Sequence, residues 1–470
     1  MSRIKRTTFV HFASQVLVSV SGFVATFVIA RYLGSDVLGQ YALVVAINVW
    51  FVFPIRSVSA AVTKRMSEGE EPASFLGAGV VTIVLLVPVL VGVVLLGAGF
   101  FRTYVGARVA HLIALVIAAS AGFQVIKDGL DGQKKVGVSG GALATNRVAR
   151  TVLQAGAILL GYRLGGVLVG HVAGLVIAAG VALLFYDIVP TFPSRRHFRS
   201  LYEYARYSWL GTLKTRSFGW MDTIVLGFFV TSSQIGIYEV AWNLASVLVL
   251  VSVSIRMTLF PEISELGADD RYPEIHEMIE DGILFTGIFA IPGFVGSAVL
   301  GPRILAIYRP EFSRGAPILL LLVLARFVAA YGTQFLNVID GIDRPDITFR
   351  INGLFIVTNL GLNVVLVSVF GWYGAAVATI LSAVLMIVSS YVAVRRLIGP
   401  PGIPGLEIGK ELLASLVMGT VLFAIRPVTP TDHYVTVALV LFGASVYVAV
   451  LLTLSTRIRG KVFEIVPRSA

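Results

Sequence analysis

Residues 75–101 read FLGAGVVTIVLLVPVLVGVVLLGAGFF, a stretch of the chain without a single charged side chain. About 20 predominantly apolar residues are enough for a helix to cross a hydrocarbon core of roughly 30 Å. The run is continuous and does not alternate between apolar and polar residues, as a strand of a membrane barrel does. It therefore predicts a transmembrane α-helix.

Runs of similar character recur along the whole chain, which is 57% hydrophobic and 13% charged. Soluble domains are about 25% charged, so this composition belongs in lipid. The other candidate spans are 9–30, 37–62, 109–125, 138–160, 164–185, 207–230, 235–259, 282–300, 316–336, 347–370, 373–394, 412–425 and 434–454. The predicted fold class is an all-α polytopic membrane protein with about 14 transmembrane helices.

Basic residues indicate the orientation of these spans. If the N-terminus is cytoplasmic, most Lys and Arg side chains fall on cytoplasmic loops, as the positive-inside rule requires. We therefore expect a multi-pass protein of the cell membrane with both termini in the cytoplasm. The net charge of +11 follows from this asymmetry and from attraction to anionic lipid, so it requires no nucleic-acid partner.

Short motifs repeat between the two halves of the chain. The sequence LGQY at 38–41 is answered by IGIY at 235–238, and LDG at 130–132 is answered by IDG at 339–341. Repeats of this kind are typical of transporters built from two related halves. We predict a six-helix lobe over 1–186, a second over 207–398 and a helix pair with a basic tail over 399–470. Residues 187–206 are interpreted as a cytoplasmic linker, whose later part either lies on the membrane surface or is an ordinary basic loop.

Several cationic side chains interrupt the apolar spans or lie at their ends. A guanidinium at the bilayer centre costs about 2.5–3.5 kcal/mol, so such residues usually face a partner, a wet cavity or a substrate. Arginine also binds phosphate oxygens with two hydrogen bonds. The candidates for binding an anionic head group are Arg31, Arg56, Arg147, Arg150, Lys214, Arg216, Arg256 and Arg326.

Alternatives stay open for several of these residues. Arg31 and Arg256 lie near span ends, where they can extend to the interface, and Arg147 with Arg150 can be cytoplasmic anchors if their helix begins later. Two acids within spans, Asp222 and Glu239, are candidates for a coupling role or a structural role.

The sequence contains no cysteine, and its six histidines show no metal-ligand spacing. It also lacks a Walker-type loop for ATP. We therefore expect no metal, no cofactor and no thiol chemistry.

Four short motifs resemble those of a known superfamily. They are RYLGSDVLGQY at 31–41, DTIVLG at 222–227 followed by IGIY at 235–238, LFPEIS at 259–264 and WYGAAVAT at 372–379. The chain resembles the multidrug/oligosaccharidyl-lipid/polysaccharide exporter superfamily and, within it, the Wzx-like oligosaccharide flippases. The resemblance implies two six-helix lobes in a V, a central cavity that opens alternately to either side, and essential cations to which Arg31, Arg56 and Arg256 can correspond.

These inferences favour a flippase that moves a polyisoprenyl-(di)phosphate-linked oligosaccharide from the cytoplasmic to the outer leaflet. Its expected partners are the lipid-linked glycan, membrane lipid and enzymes of glycan assembly. The alternatives are a cation-coupled drug or metabolite antiporter of the same superfamily and a flippase of peptidoglycan-precursor lipid. A membrane enzyme is disfavoured, because catalytic acids or histidines on sizeable external loops are not evident in the sequence.

Overall fold

The computed structural model describes the backbone of residues 3–247 and 249–465. It describes side chains over the same range except at 3–16, 18, 19, 207–218, 249–258 and 462–465. Every regular element in these residues is helical. By contacts the chain separates into two compact units, Met1–Gly236 and Ile237–Ala470, and each is considered by itself.

The helices follow one another with short connections. The first eight are α1 (Arg3–Phe51), α2 (Phe53–Glu68), α3 (Pro72–Leu96), α4 (Ala98–Val105), α5 (Ala110–Gly132), α6 (Val136–Leu159), α7 (Leu164–Leu183) and α8 (Arg195–Phe229). The remaining helices are α9 (Ser232–Val247), α10 (Val249–Ala268), α11 (Tyr272–Ala306), α12 (Ala316–Gly341), α13 (Pro345–Phe370), α14 (Trp372–Ile398), α15 (Gly405–Ile425), α16 (His433–Leu454) and α17 (Thr456–Ile465). Single 3₁₀ turns lie at Pro310–Gly315 and Arg426–Val428.

Ten helices in the described part of the chain are long and apolar enough to cross a membrane. They are Val20–Phe51 within α1, together with α3, α5, α7, α11, α12, α13, α14, α15 and α16. Helix α6 falls short of this apolarity because its middle carries Asn146, Arg147, Arg150 and Gln154. The prediction of an all-helical membrane protein is confirmed at this level.

Helix α1 is interrupted where two predicted spans were expected to meet. Gly34 has φ 87° and ψ 179°, a conformation open to glycine because it lacks a Cβ. A second break at Val52 separates α1 from α2, and Pro54 lies in the first turn of α2, where its missing N–H is not needed. The predicted span 37–62 therefore consists of two helical segments.

A stripe of glycines on α7 sets the closest packing in the first unit. Gly166, Gly170 and Gly174 recur every four residues and so face one side of the helix. A Cβ on Gly174 would lie 2.8 Å from the backbone of Arg150, and one on Gly170 would lie 2.9 Å from the backbone nitrogen of Gln154. The glycines therefore let α6 approach α7 closely.

The repeated LGQY and IGIY motifs also meet within the first unit. A Cβ added to Gly39 would overlap the carbonyl of Ser232, and one added to Gly236 would overlap the carbonyl of Ser35. The hydroxyls of Ser35 and Ser233 lie 2.7 Å apart beside this crossing. Both glycines are needed here because the two backbones are in direct contact.

The link after α7 is held against the start of α3. The backbone N–H of Thr191 donates to the carbonyl of Ala73 at 3.0 Å, and Ser194 then caps α8. Residues 195–206 of the predicted linker form the first turns of α8.

In the second unit, α12 packs on α11 and α14, and α15 and α16 pack on α11. Leu284 of α11, Met418 and Leu422 of α15, and Tyr447 of α16 belong to one buried apolar cluster. This cluster joins the C-terminal helix pair to the rest of its unit.

Candidate functional site

A polar stripe on α6 is the candidate site of the first unit. Asn146, Arg150 and Gln154 recur every four residues and therefore share one face of the helix. They are buried, with 6%, 8% and 1% of their surfaces exposed. Three such residues in an otherwise apolar environment need polar partners.

Part of this stripe belongs to a hydrogen-bonded chain that joins three helices. The Gln154 amide donates to the Tyr41 hydroxyl of α1 at 3.1 Å and to the Val167 carbonyl of α7 at 3.0 Å. The Tyr41 hydroxyl lies 3.1 Å from Nδ1 of His171 on α7. The chain ties α1, α6 and α7 together around the stripe.

The stripe nevertheless retains polar atoms that bond to nothing among the described residues. These are Nε of Arg150, Oδ1 of Asn146 and Oε1 of Gln154, all buried. Leaving a buried donor or acceptor without a hydrogen bond costs about 1–3 kcal/mol, and more for a charged group. Such atoms are uncommon in native proteins, and bound water or a bound ion is one explanation for them. The stripe combines a cation with hydrogen-bonding groups, which suits an anionic or sugar-bearing ligand.

Arg147 lies close to this group. It is half-buried on α6, and both it and Arg150 lie within electrostatic range of His171. The helix begins at Val136, so both arginines lie well inside it, with Arg150 the more deeply buried member. Their binding of a head group stays a prediction.

Arg31 and Arg56 are half-buried on other helices of the same unit. Arg56 is flanked on α2 by the buried Ser57 and Ser59. However, α2 packs mainly on α3, α5 and α8, whereas α6 packs mainly on α1, α5 and α7. Direct contact between Arg56 and the α6 stripe is therefore not among the described contacts.

Arg326 lies in the second unit, where groups on α9 engage it. Its Nη2 donates to the Ser246 hydroxyl at 2.7 Å, and its guanidinium carbon lies 4.0 Å from the centre of the Trp242 ring. Glu239, on the same helix, accepts a hydrogen bond from Asn243 at 3.3 Å. The half-buried Arg326 is stabilised in place by its stack on the indole, and its binding of a substrate stays a prediction.

The remaining predicted residues are Asp222 and three cations of α8 and α10. Asp222 is 6% exposed on α8, consistent with either a structural or a coupling role. The side chains of Lys214, Arg216 and Arg256 lie outside the described residues, so their roles stay predictions.

Sequence reasoning missed Tyr41, Gln154 and His171 as members of a site. Two signals for them are present: the spacing of Asn146, Arg150 and Gln154, and the Gly-x-x-x-Gly repeats of α7, which indicate a close helix pair. Read together, they place the polar face of α6 against α7.

Comparison with known proteins identifies two matching families and two similar flippases. The polysaccharide biosynthesis protein family matches residues 4–267, and the lipid II flippase MurJ family matches residues 166–445. The chain is 33% identical to the probable flippase AglR of Haloferax volcanii, with both chains covered completely. It is 26% identical to the probable low-salt glycan biosynthesis flippase Agl15 of the same organism, over 90% of each chain.

Two solved structures show the fold. An inward closed lipid II flippase MurJ superposes with a TM-score of 0.78 at 17% identity, covering 95% of this chain and 98% of that one. An inward-facing transporter of the multidrug resistance MATE family superposes with a TM-score of 0.67 at 12% identity, covering 83% and 98%.

The helical fold thus defines a polytopic membrane protein with a MurJ- and MATE-like fold. Within that class, the chain belongs to the polysaccharide biosynthesis protein family. The predicted family membership is confirmed.

Proposed function

We propose that this protein is a flippase that moves a polyisoprenyl-(di)phosphate-linked oligosaccharide from the cytoplasmic to the outer leaflet. The observation that carries the proposal is the 33% identity to the probable flippase AglR over the whole of both chains. Movement of the lipid changes no covalent bond, so the protein acts as a transporter and not as an enzyme.

The chemistry of such a substrate agrees with the α6 stripe. A lipid-linked sugar has an anionic phosphate between a long apolar tail and a polar head, so its passage requires cations and hydrogen-bonding groups within the membrane. Arg150 with Asn146 and Gln154 offers both. We propose that they bind the head group together with Arg147 and Arg56, and that Arg31, Lys214, Arg216, Arg256 and Arg326 contribute to a cationic central cavity.

The finer architecture belongs to the same proposal. We expect about 14 transmembrane helices in two six-helix lobes, 1–186 and 207–398, joined by the linker 187–206 and followed by the helix pair at 399–470. Both termini lie in the cytoplasm, the cavity opens alternately to each leaflet, and enzymes of glycan assembly supply the substrate. The Lys and Arg distribution supports this orientation.

A second candidate is a flippase for peptidoglycan-precursor lipid. The observation that favours it is the match of residues 166–445 to the lipid II flippase MurJ family. Both candidates share an anionic lipid substrate and differ in its sugar, so competition between the two lipids distinguishes them. A drug antiporter would instead transport a cation, which the cationic stripe does not suit.

Reconstitution tests the proposal directly. The purified chain is placed in liposomes with a fluorescent polyprenyl-linked oligosaccharide, and its arrival in the opposite leaflet is measured. The double variant Arg56→Gln/Arg147→Gln should abolish transport without preventing membrane insertion. The matched control is Arg108→Gln/Arg163→Gln, which neutralises two exposed arginines. Equal rates in wild type and the first double variant would reject the assigned cations.

A further inference from the structure

The carboxyl group of Glu411 is buried in the second unit and has no hydrogen-bond partner among the described residues. Glu411 is on α15, its surface is 0% exposed, and both carboxyl oxygens are buried and make no hydrogen bond to the described residues. Its neighbour one turn earlier, Glu407, differs in bonding to Lys410 at 2.6 Å and to the Ser455 hydroxyl at 2.5 Å. Of these two acids on one helix, only Glu407 has its charge balanced.

The groups around Glu411 come from three further helices. Its Oε2 lies directly against the Cα of Gly287 on α11, where an added Cβ would overlap it and would lie 3.0 Å from the Tyr331 hydroxyl of α12. Tyr447 of α16 lies within electrostatic range of both Glu411 and Tyr331. The hydroxyls of Tyr331 and Tyr447 are buried and also unbonded among the described residues.

Other charged groups near these helices have partners of their own. On α11, Glu280 and Asp281 pair with Arg457 of α17, and Asp281 also pairs with Lys461. Thr286 of α11 accepts a hydrogen bond from Gln334 of α12 at 3.2 Å. Arg457 and Lys461 are therefore paired with acids other than Glu411.

An ionised carboxylate in such a position is very unfavourable. Burying an unpaired charge costs at least several kcal/mol, and a group in that situation neutralises instead. A carboxyl that binds one proton becomes neutral, which removes the cost of the buried charge. The surroundings of Glu411 thus favour its protonated form.

A cavity of about 420 Å³ lies in the same unit and shares Tyr331 with the surroundings of Glu411. Its wall is apolar and includes Tyr331, Ile283 of α11 and Ile408 of α15. Tyr331 therefore has its ring at the cavity and its hydroxyl beside Gly287, next to the buried carboxyl. An apolar cavity of this kind does not hold water, so exchange of a proton at Glu411 requires α11 and α15 to separate.

We propose that Glu411 is a proton-binding site of the C-terminal helix pair, occupied when α11 and α15 pack together and emptied when that contact opens. One proton binds one carboxylate oxygen and leaves from the same atom, so no other group changes its charge. A metal ion would bind here less well than a proton. Hard cations take a shell of about six or more oxygens, whereas the described side chains offer one carboxyl and two phenols.

The first test reads the proton directly by infrared spectroscopy of the full-length protein in liposomes at neutral pH. The difference spectrum of wild type minus Glu411→Gln, which keeps the shape of the side chain, should contain the C=O stretch of a protonated carboxylic acid. The difference spectrum of wild type minus the matched control Glu407→Gln should lack it. The absence of this band from the first difference spectrum would overturn the proposal.

The second test concerns coupling and rests on the proposed flippase activity. Transport by wild type and by Glu407→Gln should change with pH across the neutral range, whereas Glu411→Gln should lose that dependence. Identical pH profiles for wild type and Glu411→Gln would contradict the release of this proton during transport. If wild type transports no lipid-linked glycan, the flippase proposal fails while the infrared result still decides the proton site.

Discussion

Arg150 is the cation described most deeply inside the first unit, so transport should depend on its charge. Arg150→Gln keeps polarity and much of the volume but removes the guanidinium. We expect the transport rate to fall about tenfold or more, since a hydrogen bond to a charged group contributes about 1.5–3 kcal/mol. The liposome assay measures it, with the exposed Arg163→Gln as the control. A wild-type transport rate in Arg150→Gln would show that the α6 stripe does not bind the substrate.

Gly174 decides whether the stripe can exist in its observed place. A methyl group at this position meets the backbone of Arg150, which cannot move aside as a flexible side chain would. We expect Gly174→Ala to lower the free energy of unfolding by about 1–3 kcal/mol and to reduce transport, because the two helices must separate.

Gly180 is the matched control for this prediction, since it is on the same helix and a Cβ there meets no atom within 4 Å. Thermal unfolding in detergent should leave Gly180→Ala close to wild type. Equal stability of Gly174→Ala and Gly180→Ala would show that the glycine stripe is not needed for the close approach.

At the scale of elements, a small polar clamp holds the link before α8 against α3. The backbone N–H of Ser194 donates to Nδ1 of His197, so Nε2 carries the ring proton and donates to Glu71 at 2.6 Å. Arg196 also contacts Glu71. The hydrogen bonds from His197 and Arg196 lower the pKa of the Glu71 carboxyl.

The pH dependence of this clamp follows from that shift. A carboxyl with a depressed folded pKa stabilises the fold above its unfolded pKa of about 4.3, and the stabilisation is lost as the pH falls through the lower folded value. At neutral pH, Glu71→Gln should speed hydrogen exchange at the N–H of Thr191, which bonds to Ala73. In strong acid, wild type and variant should exchange alike.

Glu203→Gln provides the control, because Glu203 is equally exposed, at 48%, and pairs with Arg199 of its own helix. Its loss should leave Thr191 protected at every pH. Unchanged protection in Glu71→Gln at neutral pH would mean that the Thr191 bond holds the link without the clamp.

A second contact between elements joins α17 to the start of α11. Arg457 and Lys461 share Asp281, with Arg457 3.0 Å from it. The groups are about one third exposed, so the pair resembles a surface ion pair. A double-mutant cycle of Arg457→Gln and Asp281→Asn should give a coupling energy of about 0.2–1 kcal/mol that decreases with salt. A coupling that is insensitive to salt would indicate a packing effect.

At the scale of the whole molecule, the absence of native cysteine makes the orientation easy to test. Glu70 lies in a loop predicted to be cytoplasmic, and Thr431 lies in a loop predicted to be external, and both are exposed. On intact cells, a membrane-impermeant maleimide should label Thr431→Cys and leave Glu70→Cys unlabelled until the membrane is opened. The reverse pattern would invert the proposed topology.

Sequence reasoning found the helices and the cations but not the site that some of them form. The spans at 75–101 and 434–454 are recognisable because each is apolar enough to specify a membrane helix without help from its neighbours. Arg150 was recognisable because a charged side chain is unusual within a predicted membrane span. The members of the Gln154 hydrogen-bonded chain, Tyr41 and His171, were not, since each is an ordinary residue until three helices pack together.

The chain alone determined that this is a helical membrane protein with repeated motifs and positive charges inside its spans. These properties depend on the composition and the local order of the residues, because an apolar helix partitions into lipid without help from its neighbours. Only the tertiary structure decided that Gln154 bonds to Tyr41, that Arg326 stacks on Trp242, and that the Glu411 carboxyl makes no hydrogen bond to the described residues. The reason is physical: the stability of a buried polar group depends on the neighbours that replace water, and those come from distant parts of the chain.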